Sequence, residues 1–281
     1  MGKIINVKEI VEKRKKELYS EIIQLKAKGI VPKLAVILAS GDDASRIYVS
    51  KKRNLCKEME VEEREYIFES HVTQEEIEKT IEELNSDNSI HGILVQVPLY
   101  NHLDEKRILE KIYPEKDVDG FHPVNIGKLV QGTNTVMPCT TRGILSILKE
   151  SGVELEGKHA VVVGRSVIVG KPTAAALLNE GCTVTICHSK TKHLSRYTLD
   201  ADILIVAVGK HNLVNKNMVK DKAVVIDVGI NRIDGKVYGD VDTASVSEIA
   251  GFVTPVPGGV GVTTVLSLLE NLILIINERL K

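Results

Sequence analysis

The sequence predicts an α/β protein: two α/β domains around a cleft, the second a Rossmann-like parallel sheet, with a C-terminal helix returning to the first domain. Three observations carry that expectation. Short β-branched runs alternate with helical periodicities along most of the chain, the pattern of parallel βαβ units. A β-branched run, a turn at Gly164 and an Ala/Leu-rich helix follow one another between His159 and Leu178. A stretch rich in Gly, Pro, Asn and Asp, Tyr113 to Pro138, divides the alternation in two. The 281 residues leave ample length for a core and suit two domains.

Val7 to Lys28 carries apolar residues at Val7, Ile10, Val11, Leu18, Ile22 and Leu25, a helical stripe ended by Gly29. Lys33 to Ala39 reads as a buried strand and Asp43 to Met59 as a helix, with a strand around Tyr66 to Phe68. Thr73 to Glu76 is a capping box opening a helix to about Leu84. A strand over Gly92 to Val97 stops at Pro98, and a helix follows near Glu105 to Ile112. Tyr113 to Pro138 is read as loops and a crossover, after which Thr140 caps a connecting helix to about Lys149. The second domain reads as strands over 159–163, 183–187, 203–208, 223–228 and 252–254, with a helix over 171–179. The last helix, from about Val262, is apolar nearly all round and so should be buried. The expected boundaries are 1–138, 139–261 and 262–281.

Composition narrows the function classes. With 43% apolar residues, 27% charged residues and a net charge of −1, nothing supports a nucleic-acid or membrane surface. At 4% aromatics and no Trp, stacking platforms for single strands are not expected. Cys56, Cys139, Cys182 and Cys187 form no C-x-x-C and no metal-like pattern, so buried, reduced thiols and no metal are expected. The N-terminus lacks the apolar core and cleavage site of a signal peptide, and Asn6 stands where an acylation signal wants Ser or Thr. Val262 to Ile276 is interrupted by Ser267, Glu270 and Asn271 and falls short of the ~20 residues of a membrane span. A cytoplasmic protein is expected.

Four stretches carry candidate chemistry. Strand, glycine turn and helix around Gly164, with Pro172 in the first helical turn, place bare N–H groups and a positive helix end against a phosphate. The spacing is G-x-S-x-x-x-G rather than G-x-G-x-x-G, so an ordinary βα turn competes with this reading. Some 20 residues on, where an NAD site wants an acid, the chain has His188, Ser189 and Lys190, and no acid before Asp200. With Arg165 in the first loop, that set suits a 2′-phosphate, so NADP is favoured over NAD.

In the first domain, Tyr48 and Lys52 stand at i, i+4 on one helix face, with Ser45 a turn earlier. A phenol beside an amine suits acid–base work, although Lys51, Lys52 and Arg53 also read as a solvated basic face. Gln96 ends an apolar strand, where its amide needs partners; it could serve a site or merely tie down a loop. Asp119, before Gly120, is by itself a plain turn signal.

Together these stretches resemble the bifunctional methylenetetrahydrofolate dehydrogenase/methenyltetrahydrofolate cyclohydrolase family. The matching segments are Tyr48-Val-x-x-Lys52, Gly92-Ile-Leu-Val-Gln96-Val-Pro-Leu99, Pro114-Glu-Lys-Asp-Val-Asp119-Gly, Gly164-Arg-Ser-x-x-Val-Gly170-x-Pro172, Asp227-Val-Gly-Ile-Asn231 and Thr254-Pro-Val-Pro-Gly-Gly-Val-Gly261. They are spread over most of the chain. The resemblance implies NADP-dependent oxidation of 5,10-methylenetetrahydrofolate to the methenyl form, then hydrolysis to 10-formyltetrahydrofolate, within one-carbon metabolism. It implies Lys52 as catalytic lysine, Tyr48 and Gln96 as its positioning and folate-lining partners, and Asp119 as a pterin ligand. It further implies Gly164, Arg165 and Ser166 at the cofactor phosphates, Ser189 near the 2′-phosphate and Ile230 on the nicotinamide side. Pro257 and Gly258 would shape the folate pocket, and the protein would be a homodimer through its Rossmann domain.

Two departures from the family pattern stand out: Val262-Thr263 replaces Pro-Met, and Thr141 replaces Pro. Two other readings compete. A dehydrogenase for another small metabolite, such as an amino-acid or shikimate-type enzyme, leaves Gln96 and Asp119 unexplained. A non-catalytic nucleotide-binding module has no need of Tyr48 with Lys52.

Overall fold

The computed structural model describes residues 3–133 and 135–281. Met1 and Gly2, part of the N-terminal stretch read for targeting signals, and Asn134, inside the stretch read as loop, lie outside the described residues. In chain order the elements are β1 (Lys3–Ile4), α1 (Val7–Ala27), β2 (Lys33–Leu38), α2 (Asp43–Glu58), β3 (Glu62–Ile67), α3 (Gln74–Ser86), β4 (Gly92–Gln96), α4 (Glu105–Glu110), α5 (Pro123–Val130) and α6 (Cys139–Glu150). There follow β5 (His159–Val163), α7 (Gly170–Asn179), β6 (Thr183–Cys187), α8 (Ser195–Thr198), β7 (Ile203–Val206), β8 (Val224–Asp227), β9 (Asn231–Ile233), β10 (Lys236–Tyr238), α9 (Thr243–Val246), β11 (Phe252–Val253) and α10 (Val260–Arg279).

The chain forms two compact units. The small-sheet unit comprises Arg14–Lys128, Asn134–Cys139 and Val265–Lys281. Its parallel sheet has the order β3-β2-β4. Leu34 to Leu38 of β2 and Ile93 to Val95 of β4 are buried, and Ile77 and Ile81 of α3 and Ile108 of α4 complete the core with them. Thr73 caps α3 in a full capping box with Glu76. Within this unit α10 packs onto β4: a Cβ on Gly92 would run into Val118 and Leu272. Asn271 of α10 donates to the carbonyls of Val118 (2.8 Å) and Met137 (2.9 Å), and Arg14 pairs with Glu270. This is the C-terminal helix returning to the first sheet.

The large-sheet unit comprises the chain up to Lys13, Leu129–Thr133 and Thr140–Thr264. Its six strands lie in the order β1-β11-β8-β7-β5-β6, and every pairing is parallel. From β5 the chain steps outward to β6 and then crosses to the other side for β7, so the topological switch point lies between β5 and β7. Val161 and Val163 of β5, Leu204 and Val206 of β7 and Val225 of β8 fill one core cluster.

Several elements differ from the sequence expectation. The strand expected at Tyr66–Phe68 is β3, which begins at Glu62. It is an edge strand, so one side of its ladder faces no neighbour and charged residues are tolerated along it. The stretch read as loops and crossover contains α5, a helix of 8 residues. β1, α8, α9 and the β9–β10 hairpin were not expected; at two to four residues each they are too short for a periodic signal. The hairpin did carry a local sign. Asp234 and Gly235 take φ of 48° and 75°, the pair of left-handed positions that an Asp-Gly hairpin turn provides.

The C-terminal helix starts at Val260, two residues before the expected 262. At 20 residues α10 is long and apolar enough, by length and composition, to cross a membrane. Leu266, Leu268, Leu269, Leu272, Ile273, Ile275 and Ile276 are nevertheless buried inside the protein, as in a core helix.

Candidate active site

In the small-sheet unit the candidate residues gather at the C-terminal ends of the parallel strands, where α/β sheets keep their ligands. Helix α2 starts just after β2 and carries Tyr48, half-buried, and Lys52, only 7% exposed. Gln96 is the last residue of β4 and stands beside Leu38 of β2 in the register. The Lys52 Nζ donates to Gln96 Oε1 at 3.0 Å, and Gln96 Nε2 donates to the Val97 carbonyl at 2.7 Å. The amide therefore has its oxygen turned to the lysine, held there from its other end. Gln96 is the only acceptor that Lys52 finds among the described residues, so a buried group with three N–H donors uses one within the chain.

Asp119 reaches the same region because its segment runs parallel to β4: the Ile93 N–H bonds the Lys116 carbonyl at 2.7 Å and Ile93 pairs with Asp117. Removal from water pushes the Asp119 carboxyl above the usual carboxylate range; the Lys52 charge opposes this, Asp117 adds to it and Cys139 opposes it. The basic-face reading of Lys52 fails on burial. It holds for Lys51, which is exposed and lies 5.7 Å from the Tyr48 ring centroid.

The cofactor candidates lie in the large-sheet unit. Gly164 follows β5 with φ of 130°, a conformation for which glycine is suited. A Cβ there would strike the Ala207 carbonyl, and a Cβ on Gly170 would strike the Gly164 carbonyl. Both glycines are thus required for α7 to begin tight against the strand end. Ser166 uses its hydroxyl as an internal cap, accepting from the N–H groups of Val169 (3.1 Å) and Gly170 (3.3 Å). Among the described residues the N–H groups of Ser166, Val167 and Ile168 have no acceptor in the chain. Arg165, Ser189 and Lys190 are exposed. Bare N–H groups, a cationic side chain and no carboxylate after β6 fit a dinucleotide with an extra phosphate. Ile230, 49% exposed, follows β8, and the exposed Pro257 and Gly258 lie between β11 and α10.

The structure thus joins Lys52 to Gln96 by a hydrogen bond, with Tyr48 on the same helix and Asp119 within reach of the Lys52 charge. Pro257 and Gly258 belong to the large-sheet unit with the cofactor candidates. The two departures from the expected motif are absorbed locally. Thr263 is buried against Gly143, which has no Cβ to obstruct it, and Thr141 shares a 3.1 Å hydrogen bond with Thr173.

Sequence reasoning missed three buried polar anchors. Asp117 accepts from the N–H groups of Gly120 (3.0 Å) and His122 (2.8 Å) and from Asn125 Nδ2 (3.0 Å), shaping the turn that holds Asp119. Asp227 accepts from the N–H groups of Gly229 (2.9 Å), Asp240 (3.0 Å) and Val241 (2.9 Å). Burial pushes its pKa up to about 6 even so, the three N–H groups acting the other way. Asp240, fully buried, gathers N–H groups from the loop after β7. For Asp240 the only sequence sign was an acid beside a glycine, Gly239-Asp240, and Asp227 stood in the matching segment Asp227 to Asn231 without a role of its own.

A cavity of about 520 Å³ lies at the opposite, N-terminal ends of β7 and β8, lined in part by Lys158, Asp202 and Lys220. Two of its lysines are already paired, Lys158 with Glu154 (2.9 Å) and Lys220 with Asp202 (2.7 Å).

Residues 5–119 match the catalytic domain of tetrahydrofolate dehydrogenase/cyclohydrolase, and residues 138–280 match the NAD(P)-binding domain of the same enzyme family. The bifunctional protein FolD of Bacillus cytotoxicus is 49% identical over 269 residues, 95% of this chain and 94% of that protein. The crystal structure of the bifunctional FolD methylenetetrahydrofolate dehydrogenase/cyclohydrolase of Campylobacter jejuni superposes with a TM-score of 0.97 at 46% identity, covering 99% of this chain and 100% of that one. The Trypanosoma brucei dehydrogenase-cyclohydrolase, solved with NADP and an inhibitor, superposes with a TM-score of 0.94 at 35% identity, covering 100% and 99%. The chain belongs to the tetrahydrofolate dehydrogenase/cyclohydrolase family.

Proposed function

We propose that this chain is an NADP-dependent methylenetetrahydrofolate dehydrogenase and methenyltetrahydrofolate cyclohydrolase. It oxidises 5,10-methylenetetrahydrofolate to the methenyl cation and hydrolyses that to 10-formyltetrahydrofolate. The observation that carries the reading is Lys52, buried and, among the described residues, hydrogen-bonded to Gln96 alone. A lysine in that position implies a partner outside the chain.

When bound, NADP⁺ supplies the acceptor for the hydride leaving the methylene carbon. The folate ring nitrogens absorb the charge that develops, so the first step needs alignment more than a side-chain base. Gly164 and Arg165 are assigned to the phosphates, with Ser166 shaping the loop through its internal cap. Ser189 is assigned to the 2′-phosphate and Ile230 to the nicotinamide side. In the second step water attacks the amidinium carbon and loses a proton, and a ring nitrogen gains one as the C–N bond opens. This is general acid–base work, assigned to Lys52. Gln96 fixes the lysine head, and Tyr48 and Asp119 line the folate site with it.

The test separates the two steps. Lys52→Met should abolish hydrolysis of methenyltetrahydrofolate while leaving measurable NADPH formation from methylenetetrahydrofolate. Hydrolysis at the wild-type rate would remove Lys52 from its role, and absence of NADPH formation by the wild type would remove the reading altogether.

The same reading makes the protein a cytoplasmic homodimer. Four buried, free cysteines support a reducing compartment. The dimer is supported by β6, whose outer edge pairs with no strand among the described residues, and by exposed Ile186 on it and Leu178 on α7, which packs against it.

A further inference from the structure

Asp240 is fully buried, and among the described residues no lysine, arginine or histidine pairs with it. Its charge is met by N–H donors instead. Oδ2 accepts from the N–H groups of Val208 (2.7 Å) and Gly209 (2.9 Å), and Oδ1 accepts from the N–H of Lys210 (2.7 Å) and from Asn231 Nδ2 (2.9 Å). Three consecutive peptide groups of the loop after β7 therefore point their N–H groups at one carboxylate.

A trans peptide carries its carbonyl opposite its N–H. The carbonyls of Ala207, Val208 and Gly209 are accordingly turned away from Asp240. For Ala207 the structure shows where: its oxygen lies where a Cβ on Gly164 would be, against the dinucleotide turn. The carbonyls of Val208 and Gly209 accept no hydrogen bond from the described residues of the chain. They stand at the C-terminal end of β7, beside β5, at the switch point where a doubly wound sheet takes its dinucleotide.

The chain holds Asp240 firmly enough for this task. The β9–β10 hairpin leads the chain back to it, and Asp227 accepts from Asp240's own N–H and from that of Val241. A Cβ on Gly229 would overlap the Asp240 carboxyl, and one on Gly239 would overlap that of Asp227, so two glycines make room for two acids.

We propose that Asp240 is a positioning residue for the dinucleotide site: it clamps the loop Val208–Lys210 so that the free carbonyls of Val208 and Gly209 face the donor groups of the nicotinamide half, the ribose hydroxyls and the carboxamide N–H. The proposal rests on the dehydrogenase reading above.

Asp240→Asn is the direct test, because an amide of the same shape must set its NH₂ against two N–H donors. Amide hydrogen exchange of Val208 to Lys210 should quicken at least tenfold in the protein without cofactor, and the Kd for NADP⁺ by calorimetric titration should rise tenfold or more. Hydrolysis of methenyltetrahydrofolate, assayed without dinucleotide, should stay within twofold of wild type. Unchanged exchange and Kd would overturn the clamp, and so would an equal loss of binding and hydrolysis, which marks general damage. Should that variant fail to fold, Asn231→Ala removes one of the four donors and should raise the same Kd two- to fivefold; no rise overturns the proposal. A wild-type protein that binds no NADP⁺ sinks the dehydrogenase reading, whereas wild-type binding with an indifferent Asp240→Asn sinks the clamp alone.

Discussion

Glu63 sits on β3 with its side chain 8% exposed, and neither carboxylate oxygen finds a hydrogen-bond partner among the described residues. Arg53 of α2 is near, at 3.8 Å, but Glu65 draws that guanidinium into a closer pair. Burial, reinforced by Glu65 on its own strand and opposed by Cys56 and Arg53 on α2, pushes Glu63 up to about 7 from 4.5. The folded protein therefore holds this proton more tightly than the unfolded chain does. The benefit is complete below pH 4.5, is lost as pH rises from 4.5 to about 7, and does not change further above that. Glu63→Gln should remove the dependence, gaining on the order of 1–2 kcal/mol relative to wild type at pH 8 and little at pH 4.5. Thermal unfolding of both proteins across that range checks it; a constant difference at every pH would show that ionisation of Glu63 is not the cause. This residue was not legible beforehand, since burial of one acid in an edge strand of four charged residues depends on which face α2 covers. Lys52 and Gln96 were each legible as candidates, on the helix after one parallel strand and at the end of its neighbour, while their pairing was legible only through the family resemblance.

At the scale of the element, the turn from β5 into α7 joins backbone geometry to specificity. Gly164 and Gly170 fix the turn, the N–H groups of Ser166 to Ile168 find no acceptor among the described residues, and Arg165 is exposed beside them. The backbone groups serve the phosphates that NAD and NADP share, while the Arg165 guanidinium, with Ser189, serves the additional one. A charge-assisted hydrogen bond of about 1.5–3 kcal/mol corresponds to about tenfold or more in affinity. Arg165→Ala should therefore raise KM for NADP⁺ by about tenfold and leave KM for NAD⁺ within about threefold. Steady-state kinetics with both cofactors checks this, and equal effects would take Arg165 out of the 2′-phosphate site. The glycine turn could be read from sequence because strand, turn and helix are contiguous and each has its own local signature. The clamp opposite it could not: Asp240 acts on a loop 30 residues earlier, through a hairpin whose strands have three residues each. The helix α5 was hidden for a different reason, since Pro123, Asn125 and Gly127 give its eight residues the composition of a loop.

For the whole molecule, the open question is what covers β6. The six-stranded sheet ends on one side in β1, only two residues long, and on the other in β6, which offers five residues of backbone with no neighbour among the described strands. Natural sheets rarely leave such an edge bare without charges or proline to protect it. Here the strand reads Thr183-Val-Thr-Ile-Cys187, with Ile186 42% exposed. Leu178 on α7, which packs against β6, is 61% exposed. Apolar side chains flanking an unpaired edge suit a second copy of the same edge, because two-fold symmetry lets identical patches satisfy each other. The expected particle has twice the 30.9 kDa chain mass. Ile186→Lys places a charge on the exposed edge strand of the large-sheet unit. In sedimentation it should shift the protein to the mass of one chain, while hydrolysis of methenyltetrahydrofolate, which is assigned to the small-sheet unit, should persist within about threefold, because a surface change away from the site is worth little there. A variant that remains at twice the chain mass would move the contact elsewhere on the molecule, and a wild-type protein at the mass of one chain would remove the dimer from the reading.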